Sequence, residues 1–255
     1  MRGCVAQPRA ACFRTWLAPH RCAARAMAGA TGSTRRSADV AVIGAGAAGL
    51  AAARELRAEG HRVSVFEADT AVGGTWRYSP TPGGHTSMYA ALRTNLPREL
   101  MAFTDLPFAA SAPLAGDARR YPGHREVLAY LEHFAARYDL LPLIQFSMLV
   151  QRATPTRDAG LLGPRWEIQT QAGAVTTTRT FDACVVCNGH YSRPRVPPVA
   201  GLPSFPGRVS HTHDYRTAAP YAGLRVVVVG AAASGEDVSR DIATVAAQVF
   251  LSAAS

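Results

Sequence analysis

Short apolar runs and one helical apolar stripe, separated by glycine- and proline-rich stretches, organise residues 39–255 of this 255-residue chain. Asp39-Val40-Ala41-Val42-Ile43 predicts a short buried strand. An Ala/Leu-rich stretch predicts a helix over 47–59. Gly60 ends it, because glycine adopts the left-handed conformation that terminates helices. His61-Arg62-Val63-Ser64-Val65-Phe66-Glu67 predicts the next strand, and a strand–helix–strand unit implies that the two strands run parallel. Residues 70–122 hold many Gly, Pro, Ser and Thr and little periodicity, which predicts a long ordered loop region. Such loops inside a compact domain are usually functional.

Periodicity returns over Gly123–Leu140, where Val127, Leu128, Leu131, Phe134, Ala135 and Tyr138 share one helical face. Strands are predicted at 143–150, 165–170 and 175–181. Ala183-Cys184-Val185-Val186-Cys187 predicts a buried strand ending at Asn188-Gly189. A proline-rich linker spans 194–206. Arg225-Val226-Val227-Val228-Val229 then opens a second strand–turn–helix, with a helix from about Ser234 to Ala247 and a strand at 249–251. Three segments result: a leader over 1–38, a first domain over 39–215, and the start of a second over 216–255. A parallel unit cut at its second strand cannot bury both of its faces, so the second domain is expected to be incomplete.

The net charge of +9 suggests nucleic acid until its distribution is considered. Residues 1–38 contain seven arginines and no acid, while the remainder has 20 arginines against 18 acids. A near-neutral body behind a basic leader is not a nucleic-acid footprint. All basic residues are Arg and none is Lys, a compositional bias. The Arg-, Ala- and Cys-rich, acid-free leader fits a mitochondrial or chloroplast transit peptide; the alternative is an upstream extension, with Met27 as the start and a cytoplasmic protein. No apolar run reaches the roughly 18 residues of a membrane span. Outside the leader only Cys184 and Cys187 remain, which argues against a disulfide framework and for a reducing compartment.

Gly44-Ala45-Gly46-Ala47-Ala48-Gly49 is a GxGxxG turn after a strand and at the head of a helix. In that context Gly44 allows the tight turn, Gly46 lets a pyrophosphate approach the backbone, and Gly49 allows close helix–strand packing. The N–H groups and partial positive charge of the helix start, at Ala47 and Ala48, suit phosphate. Glu67 ends the next strand, where a carboxylate can accept ribose hydroxyls. A Glu there suits FAD or NAD. Val72-Gly73-Gly74-Thr75-Trp76 favours FAD, because paired glycines let backbone contact a flavin nucleotide. A second turn, Gly230-Ala231-Ala232-Ala233-Ser234-Gly235, replaces the middle glycine with Ala232. Two dinucleotide units in one chain point to a flavin reduced by a nicotinamide. Cys184-Val185-Val186-Cys187 matches CxxC, but in a strand positions i and i+3 face opposite sides, which argues against a redox pair. No metal site is expected.

Between the two turns, Phe205, Gly207, His211 and Tyr215 fit FxGxxxHxxxY. Alone, His211 reads as a hydrogen-bonded linker histidine. The whole segment is the identifying pattern of the flavin-containing monooxygenases, and residues 39–255 resemble that family, most closely its plant-type S-oxygenating branch. Tyr at the last position resembles this branch more than the Baeyer–Villiger branch. Supporting runs are Thr94-Asn95-Leu96-Pro97-Arg98-Glu99, Arg120-Tyr121-Pro122-Gly123-His124-Arg125-Glu126-Val127, Cys187-Asn188-Gly189-His190-Tyr191 and Ala233–Asp241.

The resemblance implies a three-layer α/β, Rossmann-like fold with two dinucleotide sites, cut within the second. It implies FAD and NADPH as cofactors, with O2 and a small sulfide or amine as substrates. A flavin hydroperoxide would then pass one oxygen atom to sulfur or nitrogen. Asn95 matches the family's active-site asparagine, an amide that donates and accepts without charge; the alternative is a turn cap before Pro97. Glu67, Gly73, Gly74, Thr75 and Trp76 fall in the FAD site, and Gly230, Ser234 and Gly235 in the NADPH site. Related chains place a basic residue near Ala254, so its absence is expected to weaken NADPH relative to NADH. Other readings are an N-hydroxylase, a disulfide-reductase-like flavoprotein, or a fragment that binds FAD weakly and catalyses nothing. The 255-residue chain is expected not to turn over.

Overall fold

A computed structural model of the protein describes residues 36–109 and 111–253. Its centre is the predicted unit: β1 (Asp39–Ile43), α1 (Ala47–Ala58) and β2 (Arg62–Phe66). The two strands are parallel, in register from Asp39 opposite Arg62 to Ile43 opposite Phe66. β3 (Ile144–Gln145) adds beyond β2 and β7 (Ala183–Val186) beyond β1, giving a parallel sheet of order β3-β2-β1-β7.

Successive side chains of a strand face opposite sides, and both sides here are covered. Val42 and Val65 face Leu50 and Ala53 of α1, and Val127, Leu131 and Phe134 of α3 (His124–Arg137). Ala41 and Phe66 point the other way, onto Ile168 and Phe181. Those two residues lie in β5 (Gly163–Ala172) and β6 (Val175–Phe181), which with β4 (Leu149–Gly160) form an antiparallel meander of order β4-β5-β6. Helices, parallel sheet and antiparallel sheet are the three layers of a Rossmann-like α/β fold. Each fully buried Leu, Val or Phe contributes about 1.5–3 kcal/mol, which is why a five-residue strand without polar alternation is stable here.

The structure corrects several expected bounds. The strand expected at 143–150 is two strands in different sheets. Ser147 between them takes a left-handed φ of 54°, and the Ser147 and Met148 amides donate to the carbonyls of Asp69 and Glu67. β4 and β5 also run further than expected; the added part of β4 is mostly exposed and shows no apolar alternation, whereas β5 extends by only two residues at each end. The helix expected over 234–247 stops at Ala243. In the long loop region a helical turn forms at Gly74–Trp76, and a short helix, α2, at Arg98–Met101. Residues 1–35 and Ala254 lie outside the described residues, so most of the expected leader and the position expected to be basic fall there; Ala38, the last residue of that leader, is instead buried beside β1.

The loop after α2 is organised by charge. Arg98 is fully buried, and its guanidinium donates to the carbonyls of Ala109, Asp117 and Arg119. Glu126 of α3, equally buried, lies 3.7 Å away and accepts from the amides of Leu114, Ala115 and Asp117. Removing one partner leaves a buried charge alone, which costs about 3–5 kcal/mol. Glu126→Ala is therefore expected to lower unfolding stability by that amount in a urea titration; a loss under about 1 kcal/mol would mean the pair is not structural.

β8 (Arg225–Val229), α4 (Ala233–Ala243) and β9 (Gln248–Ser252) repeat the first unit, with β8 and β9 parallel from Arg225 opposite Gln248 to Val229 opposite Ser252. Val238 and Ile242 of α4 pack on Tyr89 and Tyr215 and so seat this unit against the rest.

Candidate functional site

The first glycine turn is dictated by close approaches. Gly44 has φ +101°, and a Cβ there would lie 2.6 Å from the Cys187 carbonyl oxygen. A Cβ on Gly49 would lie 1.8 Å from the Gly44 oxygen, so α1 can sit on β1 only if residue 49 has no side chain. Gly46 differs. Its φ of −77° and ψ of −172° suit any residue, and the nearest atom to an added Cβ is Gly74 Cα at 3.6 Å. No side chain caps α1 and its first turn carries no acid. Its opening N–H groups, at Ala47 and Ala48, have no partner within the helix and sit at the positive end of its dipole.

A second turn packs against this one. Gly73 donates to the Ala45 carbonyl at 3.1 Å. A Cβ on Gly74 would meet Gly46 Cα at 3.0 Å, and one on Gly73 would meet Leu128 at 2.3 Å. Both glycines have positive φ. Trp76 packs on the helical core, Thr75 is exposed, and the Thr75 carbonyl accepts from the Thr86 hydroxyl at 2.7 Å. Glu67 ties the first turn to the segment just after β2: its carboxylate is buried and accepts from Ala45 N at 2.6 Å and Asp69 N at 2.8 Å. The structure thus brings together Gly44, Gly46, Gly49, Glu67, Gly73 and Gly74, leaving a backbone-lined cradle at the head of α1.

Asn95 stands on an exposed bend. It does not cap that bend, which is held by the Thr94 hydroxyl donating to the Leu96 carbonyl at 2.7 Å, with Thr94 N donating to Pro122 O at 3.0 Å. The amide of Asn95 has no hydrogen-bond partner among the described residues.

The turn of the second unit reproduces the first in detail. A Cβ on Gly235 would lie 1.8 Å from the Gly230 oxygen. Gly230 N donates to Ser252 O at 2.7 Å, as Gly44 N does to Phe66 O at 2.8 Å. Ala232, in place of the middle glycine, has φ −74° and ψ 176°, the conformation of Gly46. The replacement is conformationally free. Ser234 is exposed in the first turn of α4. Ala253 stands where Glu67 stands in the first unit, one residue past the strand, so the second site lacks the carboxylate of the first. That difference was legible from spacing alone.

The FxGxxxHxxxY segment is a tether. The Phe205 ring lies over Gly207, where a Cβ would be 2.5 Å from it. His211 Nδ1 accepts from His213 N at 3.0 Å, the linker role expected for it alone. Tyr215 is buried, and its hydroxyl donates to the Asp241 carboxylate at 2.5 Å. Burial and Asp241 together push that hydroxyl well above its ordinary pKa, so it stays a donor. Arg216 and Thr86, both buried, had no signal in the sequence: a loop arginine and a loop threonine carry no periodicity. Cys184 packs on the meander side of the parallel sheet and Cys187 on the helix side. Both are free thiols, pushed up by burial. Among the described residues no helix is long and apolar enough to cross a membrane, and no cluster of ligand-type side chains could hold a metal.

Comparison with known proteins agrees with this geometry. The flavin-binding monooxygenase-like family model matches residues 37–255. The flavin-containing monooxygenase FMO GS-OX-like 2 of Arabidopsis thaliana is 45% identical over 230 residues, 85% of this chain and 49% of that protein. Among solved structures, the S-allyl-L-cysteine S-oxygenase of Allium sativum matches with a TM-score of 0.79 and 40% identity, over 85% of this chain and 51% of the other. An oxidized steroid monooxygenase bound to NADP matches with a TM-score of 0.56 and 32% identity, over 85% of this chain and 38% of the other. The chain spans about half the length of the curated relatives it matches. With the repeated glycine turns and the tether between them, these matches make the chain a member of the flavin-binding monooxygenase-like family.

Proposed function

We propose that the chain contains the flavin site and the nicotinamide-nucleotide turn of an FAD- and NADPH-dependent monooxygenase that oxygenates soft sulfur or nitrogen atoms of small molecules. The observation that carries this reading is the cradle at the head of α1, where Gly46 and Gly74 meet backbone to backbone at a separation a side chain would fill. That cradle fits FAD. Bound there, FAD supplies the electron-transfer and oxygen-transfer chemistry.

The chain's own groups then divide the work of holding it. The N–H groups of Ala47 and Ala48 receive the pyrophosphate, and Gly44, Gly46 and Gly49 shape the turn that admits it. Glu67 has lone pairs to spare beyond its two backbone bonds and accepts the ribose hydroxyls. Gly73, Gly74, Thr75 and Trp76 line the flavin nucleotide. Asn95, which the fold does not use, is the amide that donates and accepts beside the flavin and the nicotinamide. Gly230, Ser234 and Gly235 hold the NADPH pyrophosphate at the start of α4, and Ala253 places no carboxylate against a 2′-phosphate. Residues 39–215 form the FAD-binding domain and 216–255 the beginning of the NADPH-binding one. The Allium sativum S-oxygenase named above supports sulfur as the target, with O2 as co-substrate.

Titrating FAD into the purified chain while following flavin fluorescence tests the carrying observation. Saturable one-to-one quenching is expected, and quenching abolished by Gly46→Val. Purified protein that neither retains nor takes up flavin would overturn the reading. For the activity, sulfide-dependent consumption of NADPH with matching sulfoxide is the expected product balance in the complete enzyme.

A further inference from the structure

We propose that Arg216 is a positioning residue: with Thr86 and Tyr215 it straps the nicotinamide-nucleotide unit onto the flavin cradle. The flavin side of this statement rests on the function proposed above; the strap itself rests on the contacts. Arg216 follows the FxGxxxHxxxY segment and is buried. Its guanidinium makes no ion pair among the described residues. Instead Nε donates to Ser79 O at 2.7 Å, Nη1 to His213 O at 2.8 Å and Tyr215 O at 2.9 Å, and Nη2 to Thr86 O at 3.0 Å. Its carbonyl accepts from Ala90 N at 2.9 Å. One planar fork thus gathers carbonyls from the loop after the Gly73–Trp76 turn and from the tether.

Each end of the strap is fastened to a site. On the flavin side the Thr86 hydroxyl donates to Thr75 O, within the turn that packs on Gly46. On the other side Tyr215 bonds Asp241 of α4 and packs edge-on against Tyr89 at 5.4 Å, whose own hydroxyl is pushed up to about 12 by burial and by Asp237 and Asp241. α4 opens at the second glycine turn. The strap therefore runs from the flavin turn to the helix that receives the second nucleotide, through buried, directional bonds. A carbonyl-bound guanidinium needs its flat, forked shape, so lysine is not an equivalent. A residue that sets the relation of two units should loosen one against the other without unfolding either.

Hydrogen exchange on the whole chain tests this without any cofactor. In Arg216→Ala the amides of 225–252 are expected to exchange roughly tenfold or more faster, while those of 39–66 keep their protection. Arg216→Lys is expected not to restore them, and Tyr215→Phe to shift them in the same direction. Thr86→Val keeps the carbonyl that Arg216 holds but loses the bond to Thr75, so it should weaken FAD binding and leave 225–252 protected. A spectroscopic readout separates positioning from simple stability. In the FAD-loaded chain, adding NADP+ is expected to perturb the flavin absorbance in the wild type, whereas in Arg216→Ala the nucleotide still binds by calorimetry but leaves the flavin spectrum unchanged. Wild-type-like protection of 225–252 in Arg216→Ala, equal loss in both segments, or full rescue by lysine would overturn the proposal. If Arg216→Ala does not fold, Tyr215→Phe decides, and unchanged protection there overturns it. Failure of the wild type to bind FAD would sink the functional reading and leave the exchange result standing.

Discussion

Replacing Gly46 with valine is expected to empty the flavin site while the fold stands. The backbone there needs no glycine, since its φ is −77° and the same conformation is held by an alanine, Ala232, in the second unit. A Cβ at 46 finds only Gly74 nearby, at 3.6 Å, and otherwise open space. That open space is where the pyrophosphate must come to reach the N–H groups of Ala47 and Ala48. Valine's γ-carbons would occupy it and separate those donors from the anion. Two charge-assisted hydrogen bonds at roughly 1.5–3 kcal/mol each amount to at least about 3 kcal/mol, or more than roughly hundredfold in affinity. The flavin-to-protein absorbance ratio after purification measures this directly, and the urea midpoint should move little. Undiminished flavin content in the valine variant would remove the pyrophosphate from this turn.

Gly49→Ala should do the opposite and attack the fold itself. The added carbon would stand 1.8 Å from the Gly44 oxygen, with backbone on both sides, so no rotamer change relieves it. α1 must lift from β1, opening contacts of Leu50 and Ala53 with Val42 and Val65. Overpacking of this kind costs about 1–3 kcal/mol and occasionally more; with backbone as the obstacle the upper end is expected. Total stabilities of domains are about 5–15 kcal/mol. Gly235→Ala meets the same 1.8 Å contact with Gly230, but in the two-stranded unit. Its damage is expected to stay within 225–252, where Gly49→Ala should lower the main unfolding transition. Circular dichroism melts paired with exchange in the two segments distinguish the cases. Equal, small effects from both substitutions would mean that the glycine contacts relax at little cost.

The elements that are strongly periodic or strongly punctuated were legible from the chain alone. β1, α1, β2, α3, the strand at Ala183 and the second strand–turn–helix follow from runs of Val and Ala, a helical stripe and glycines at fixed offsets; the strand at Ala183, expected to be buried, is only half-buried and ends on the exposed Val186. The residues of the first turn, Glu67 and the paired Gly73 and Gly74 were legible for the same reason: the conformations and approaches they permit are local or one unit away. Asn95 was found through the family's motif, and periodicity said nothing about it.

What the sequence determined by itself was therefore the two glycine turns and the strands and helices that frame them, since these depend on backbone freedom and short-range pattern. Tertiary structure alone decided which strands share a sheet, so that Ile144 and Leu149, five residues apart, fall in different layers across the left-handed turn at Ser147. It alone decided that Gly46 and Gly74 meet, and that Glu67 bonds the turn ahead of it. It also showed that an arginine with no carboxylate partner among the described residues gathers carbonyls from two distant loops. These are contacts between segments far apart in the chain. Their energy comes from burial and from satisfying polar groups in three dimensions, and neither leaves a period in the sequence.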